Sequence, residues 1–303
     1  MKRIDPERQS LPRGWRPTTA IAFMLGAGAL VAATSLIAKS LSGAGDPSMG
    51  LTPFQISAGR FVFALLALLV LLAFAPSLRP KFAKAHWRWH VLRSISGWLG
   101  VTCMFAAVAH MPLAEATAIS FLSPLVAMAL SVLMLGERIG LRKAAAAGLG
   151  LLGAAFILRP GYEALQSSGI LALAAAGFMG LETIFIKRLS DTEPALRILV
   201  INNAIGAVVS CFVAMFSWAQ PTELEWGLLL ALGVVMVSGQ ALFIQAMKRG
   251  DASLVMPAFY SVLAFAALYD FLIFCVAPSV WAALGAMLIA SGAIVLATKR
   301  SIS

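Results

Sequence analysis

In this 303-residue chain, the side chains that could do chemistry are the few charged and amide groups set inside long apolar stretches. Glu182, flanked by Leu181, Thr183, Ile184 and Phe185, offers a carboxylate that could exchange a proton or bind a cation. Asp270 beside Tyr269 offers a second, and Tyr260 adds a phenol to the same stretch, so a polar binding face could form there. Arg60, between Gly59 and Phe61, is placed to contact an anion or to act in a gate. Asn202, Asn203, Gln240, Gln245, Thr117, Ser120 and Ser123 supply amides and hydroxyls. With Trp98, Phe121 and Tyr260 they could make a partly apolar pocket for an aromatic or amphipathic solute. For the uncharged groups, bridging between helices is the plainer use. For Glu182 and Asp270 the plain alternatives are helix pairing and a reach to the interface.

The stretches that carry these groups set the class. Hydrophobic residues make up 60% of the chain and charged residues only 12%, about half of what a soluble domain carries. Ten apolar segments fall near 20–41, 54–75, 91–110, 113–135, 141–158, 169–187, 195–217, 226–247, 252–275 and 280–298, each near the length needed to span a bilayer. Of the 23 Lys and Arg residues, 20 occupy the two tails and every second gap, Arg93 being counted with the gap before the third segment. Cationic loops resist transfer across a membrane, so this alternation places both termini in the cytoplasm of a multi-pass protein in the inner membrane. Trp15, Trp87, Trp89, Trp218, Trp226 and Trp281 stand at segment ends, where amphipathic rings are stable.

The +10 net charge is therefore topological, and no continuous basic patch for nucleic acid exists. Cys103, Cys211 and Cys275 lie in apolar segments as small hydrophobes, with no metal-binding spacing. No Walker P-loop occurs, and no cofactor is expected. Buried charge is costly, about 2.5–3.5 kcal/mol at the centre of a span, so each remaining ion has an expected place. Lys39 snorkels from the end of its segment. Glu115 stabilises the first turn of the fourth. Glu137 and Arg138 cap its inner end in solvent and serve as a gate latch.

Sliding the sequence by 139 positions lays 87–159 on 226–298 without a gap, matching Trp87 to Trp226, Gly100 to Gly239, Ala107 to Ala246, Ala127 to Ala266, Leu133 to Leu272 and Gly153 to Gly292. Each half holds five segments, an odd number, so the second half must be inserted upside down. Secondary transporters recurrently use such a plan, with the site near the midplane between halves.

The stretch from Pro112 to Pro124 (PLAEATAISFLSP), running on to Leu135, Gly136, Glu137 and Arg138, resembles the first-repeat signature of EamA-type carriers of the drug/metabolite transporter superfamily. Gly59-Arg60-Phe61 and Gly150 to Gly153 are similar to that family's second and fifth segments. The resemblance implies an all-α polytopic membrane protein of ten transmembrane helices in two inverted five-helix repeats. A central cavity would be lined by the first four helices of each half. The second repeat departs from the pattern at Asp270 and at Phe274-Cys275-Val276, where such carriers often have a small residue and a Phe-Gly-Glu-like triplet.

The expected organisation is a cytoplasmic tail (1–19), a first repeat (20–159), a periplasmic linker (160–168), a second repeat (169–298) and a short cytoplasmic tail (299–303). The expected function is secondary transport of a small organic metabolite, such as an amino acid, a vitamin like riboflavin or a nucleoside-like solute, by alternating access. Protons are the candidate coupling ion, and the protein is a monomer or homodimer. The alternatives are an exporter of drugs or toxic metabolites, a channel or receptor and, distantly, an intramembrane enzyme. The last is disfavoured, because Tyr269-Asp270 has no Gly-x-Gly-Asp partner and His86, His90 and His110 sit at segment edges.

Overall fold

The computed structural model describes residues 17–41, 50–108, 119–158, 167–274 and 280–297. Among these residues the chain is all-α. The longer helices among these residues are α1 (Pro17–Leu41), α2 (Pro53–Phe74), α3 (Trp87–Val108), α4 (Ser123–Leu135), α5 (Leu141–Leu158), α6 (Ser167–Thr192), α7 (Ala195–Ala214), α8 (Glu223–Arg249), α9 (Ser261–Phe274) and α10 (Val280–Ala297). Six helical stretches are both long and apolar enough to cross a hydrocarbon core. Large apolar side chains such as Phe74, Leu133 and Val208 point outward, exposed by 72% or more. A surface of that kind suits lipid, not water. The protein is a polytopic membrane protein.

Local signals set the helix ends. Thr52 and Thr222 start α2 and α8 with reciprocal capping boxes to Gln55 and Glu225, and Pro53 occupies the first turn of α2, where its missing N–H costs nothing. Glu225 also accepts the Gly50 N–H at 3.3 Å, which ties the approach to α2 onto the start of α8. Gly136 closes α4 in the left-handed region at φ 69°, a conformation that favours glycine.

Two predicted spans differ from expectation. The segment 252–275 is not one helix: Ala252–Val255 forms a short turn of α-helix, Met256–Tyr260 a 3-10 stretch, and only then does α9 begin. Pro257 cannot donate to the ladder, which accounts for the break. In the segment 113–135 a turn at Phe121 and Leu122 separates the helical residues Ile119 and Ser120 from α4.

Packing is reciprocal between the two sets of five helices. α1 lies along α8 and α9, as α6 lies along α3 and α4; α2 meets α7, and α5 meets α10. Gly100 rests on the Ala175–Met179 stretch of α6, as Gly239 rests on the Ala27–Val31 stretch of α1. At the α5–α10 seam, a Cβ on Gly153 would lie 2.6 Å from the Gly285 carbonyl, and one on Gly285 would lie 2.5 Å from that of Gly153. Only glycine permits this approach, and small residues are the usual means of close packing in a bilayer. One reciprocity fails: α2 runs along α8 over much of its length, whereas α3 touches α7 only briefly. A cavity opens in that gap.

Candidate functional site

The cavity has a volume of about 420 Å³, within the range of small-molecule sites, and is bounded by α2, α3, α6, α7 and α8. It runs from the end where α2 begins and α7 finishes, at Phe54 and Val213, down to Glu182 and Gln240. Arg60, Trp98, Glu182, Asn202 and Gln240, proposed from sequence as site residues, all line it. Five apolar helices thus converge their few polar groups on one cavity.

Each group is positioned by its neighbours. Glu182 lies against Gly97 of α3, where an added Cβ would stand 2.9 Å from the carboxyl carbon. One turn earlier on α3, Arg93 sets its Nε 3.8 Å from Glu182 Oε1, and its side chain is 2% exposed. The Arg60 guanidinium carbon lies 4.2 Å from the centre of the Phe61 ring, whose edge occupies the space beside Gly206. Buried Asn203 donates to the Leu199 carbonyl at 2.8 Å and to Gln240 Oε1 at 3.3 Å, fixing the amide that faces the cavity.

Outside the cavity, polar contacts tie the helices together. Both oxygens of Glu137 accept backbone N–H bonds at 2.8 Å, from Ala252 and Ser253. Lys143 bonds to Asp251 at 3.0 Å, to Ser253 at 2.8 Å and to the Arg138 carbonyl at 3.1 Å. Arg142 donates to the Val295 and Leu296 carbonyls, and Lys187 to that of Met247. Glu193, between α6 and α7, accepts from the His86 backbone at 2.6 Å and from the His86 and His90 rings at 2.9 Å each, with Arg197 at 3.6 Å. A carboxylate only accepts, so both rings donate to it. Burial works to raise the Glu193 pKa, but these hydrogen bonds outweigh it and hold the group below its ordinary carboxylate value.

Several sequence-based placements change. Tyr260 is fully buried outside the cavity. Its hydroxyl donates to the Phe121 carbonyl at 2.9 Å and its ring stacks on that of Phe121 at 6.2 Å, so neither lines the pocket expected of them. Aromatic packing, with the one hydroxyl satisfied, explains both. Glu137 is bonded to backbone amides, not merely solvated, whereas Arg138 is exposed. Lys39 is exposed near the end of α1. Gln245 binds Arg249 on its own helix. Ser120 is buried beside Phe121, and Ser123 opens α4. Asp270 falls in α9 with its side chain outside the description, and Glu115, Thr117 and Cys275 lie outside the described residues.

Arg93 is the residue that sequence reasoning missed: counted as a loop cation, it is instead buried within α3. A signal existed in the helical spacing of His86, His90, Arg93 and Gly97, which puts all four on one face.

A bundle of lipid-facing helices around a cavity that gathers charged and amide groups is the arrangement of a membrane transporter. The chain belongs to the EamA-like transporter family, which matches residues 18–159 and again 166–298. It is similar to a pseudopaline exporter of Pseudomonas aeruginosa, 30% identical over 69% of this chain and 75% of the relative. A riboflavin transporter of Vibrio cholerae is 27% identical over 85% and 86% of the two chains. An S-adenosylmethionine uptake transporter of Rickettsia prowazekii is 26% identical over 89% and 92%. One solved crystal structure shares the fold at a TM-score of 0.76, with 24% identity over 91% of this chain and 95% of the other. The family and these relatives are transporters of small molecules, not enzymes.

Proposed function

We propose that this protein is a secondary carrier that moves a small organic metabolite across the inner membrane by alternating access. The observation that carries this reading is the cavity itself, which gathers Arg60, Glu182, Asn202 and Gln240 inside an apolar bundle whose two halves are tied by hydrogen bonds elsewhere. The ten helices cross the membrane as two oppositely inserted repeats, 20–159 and 169–298, joined by the periplasmic linker 160–168 and flanked by cytoplasmic tails at 1–19 and 299–303. The paired family match, the reciprocal packing and the alternating cations of the sequence support this organisation. In this frame the cavity opens to the periplasm, and the Glu137–Ala252 and Lys143–Asp251 contacts form the cytoplasmic gate, with Arg138 contributing its carbonyl.

Glu182 is the coupling group, and the ion is a proton. The charged groups facing it are Arg93 of α3 and Arg60 of α2. His90, nearer the start of α3, is engaged by Glu193, and Lys187 of α6 by Asp191 and the Met247 carbonyl. Saturable, competable flux in proteoliposomes tests the carrier. Comparing wild type with Glu182→Gln, with and without a pH gradient, tests the coupling: the variant is expected to lose the gradient dependence, and an unchanged response refutes proton coupling there.

A further inference from the structure

The charges around the cavity floor do not balance. Arg60 of α2 and Glu182 of α6 line it, Glu182 being the one carboxylate there among the described residues, and the buried Arg93 guanidinium of α3 stands behind Glu182 at 3.8 Å. In the next layer Glu193 and Arg197 offset one another at 3.6 Å, with His86 and His90 as ring donors to the carboxylate. Among the described residues one positive charge is left over, in a region where an uncompensated ion is costly. Glu182 lies nearer Arg93, so the excess falls to Arg60, which faces the open cavity.

Hydrogen-bond donors tell the same story. Nε and Nη1 of Arg93 and the hydroxyl of Ser94, a residue lining the cavity, are buried with no hydrogen-bond partner among the described residues. Buried donors are normally satisfied, so a cluster of orphans beside an excess positive charge marks a place for an acceptor. Above this floor the wall is mostly apolar, with Phe61, Trp98, Val101, Ile205 and Val209 alongside the hydroxyl residues Ser57, Thr102 and Ser210.

We propose that the cavity takes small organic monoanions: a carboxylate held by Arg60 and the Ser94 hydroxyl, with the apolar body against Phe61 and Trp98. Its location rests on the carrier reading above. Glu182 is then the internal competitor of the ligand, since both carboxylates draw on the Arg60 guanidinium. The arrangement gives opposite signs for two neutralising substitutions. Removing the Arg60 charge weakens anion binding, and removing the Glu182 charge strengthens it.

The test is calorimetry on the full-length protein in lipid nanodiscs, with 3-phenylpropionate and naphthylacetate as probes, each compared with its neutral amide and its matched amine. The acids are expected to bind at least about 10-fold more tightly than the amides and amines, as a charge-assisted hydrogen bond implies. Arg60→Gln should weaken the acids by about 10- to 100-fold, with partial rescue by Arg60→Lys, and Glu182→Gln should tighten them by about 10-fold. A gain of affinity cannot come from misfolding. Amines or amides bound as well as acids, weaker acid binding by Glu182→Gln, or no binding by any probe overturns the proposal. The carrier reading is judged separately by flux: acid binding without saturable transport keeps the anion site and sinks the carrier.

Discussion

The α3–α6 contact and its counterpart, the α8–α1 contact, share a backbone arrangement and differ in chemistry. Gly100 and Gly239, 139 positions apart, seat each pair of helices together in the same way. Three residues earlier the two diverge. Gly97 leaves room for the Glu182 carboxylate with Arg93 behind it, whereas Met236 fills the equivalent space and takes the Thr34 hydroxyl at 3.9 Å, with buried Leu232 in the place of Arg93. The neighbouring helices follow suit. Next to the neutral contact, α2 closes on α8, with Gly233 against Phe63; next to the charged one, α3 and α7 part to form the cavity. A duplicated scaffold thus supplies two similar seats, and only one is furnished with ions. The polar site is a property of side chains grafted onto one seat, not of the scaffold.

The strongest way to break this contrast is to make the charged seat resemble the neutral one. Gly97→Met should drive the Glu182 carboxylate from its place and fill the cavity floor, cutting transport by about 100-fold, as misplacement of a key group by about 1 Å does. Proteoliposome flux measures it, with monodisperse elution as the control for folding. Next in size is the latch. Glu137→Gln weakens two charge-assisted bonds to the Ala252 and Ser253 amides, shifting the balance between end states by about 1.5–3 kcal/mol, which thiol labelling of cysteines at the proposed cytoplasmic gate should register as increased access.

A smaller effect is expected where the halves meet without ions. Tyr260→Phe orphans the Phe121 carbonyl and should lower stability by about 1 kcal/mol while leaving ligand affinity unchanged, because Tyr260 stands outside the cavity. Thermal unfolding and calorimetry together separate the two outcomes.

The smallest effect is a pH slope. Glu193 has a folded pKa below its ordinary value of 4.5, so it adds stability above that value and loses it as pH falls through the folded pKa. Melting temperature followed on acidification should drop in wild type, and Glu193→Gln should flatten that part of the curve.

The all-α, multi-pass character was legible in the sequence, because apolar runs of spanning length are imposed by lipid itself. Arg60, Glu182, Asn202 and Gln240 stood out because a polar group in an apolar run is expensive enough to need a reason, and the structure gathers them in one cavity with Trp98. Other features were hidden for physical reasons. Arg93, close to the cationic loop, carries the same letter whether it orients the chain or pairs with a buried carboxylate; only three-dimensional proximity to Glu182 separates these uses. Tyr260 could equally face a solute or pack between helices, since its ring suits both, and its partner is the carbonyl of Phe121, 139 residues away. The break at Pro257 followed from a missing N–H, yet proline in apolar helices is common enough that the kink could not be read from composition.

The α5–α10 seam, where Gly153 and Gly285 bring two backbones together, has a mechanical corollary. With backbone on backbone at the two glycines, these helices can pivot but not slide apart, so in the proposed carrier the moving bodies would share a fixed fulcrum. Spin labels at the lipid-facing Leu152 and Leu284 should keep one separation throughout the cycle, while pairs straddling the cavity change theirs.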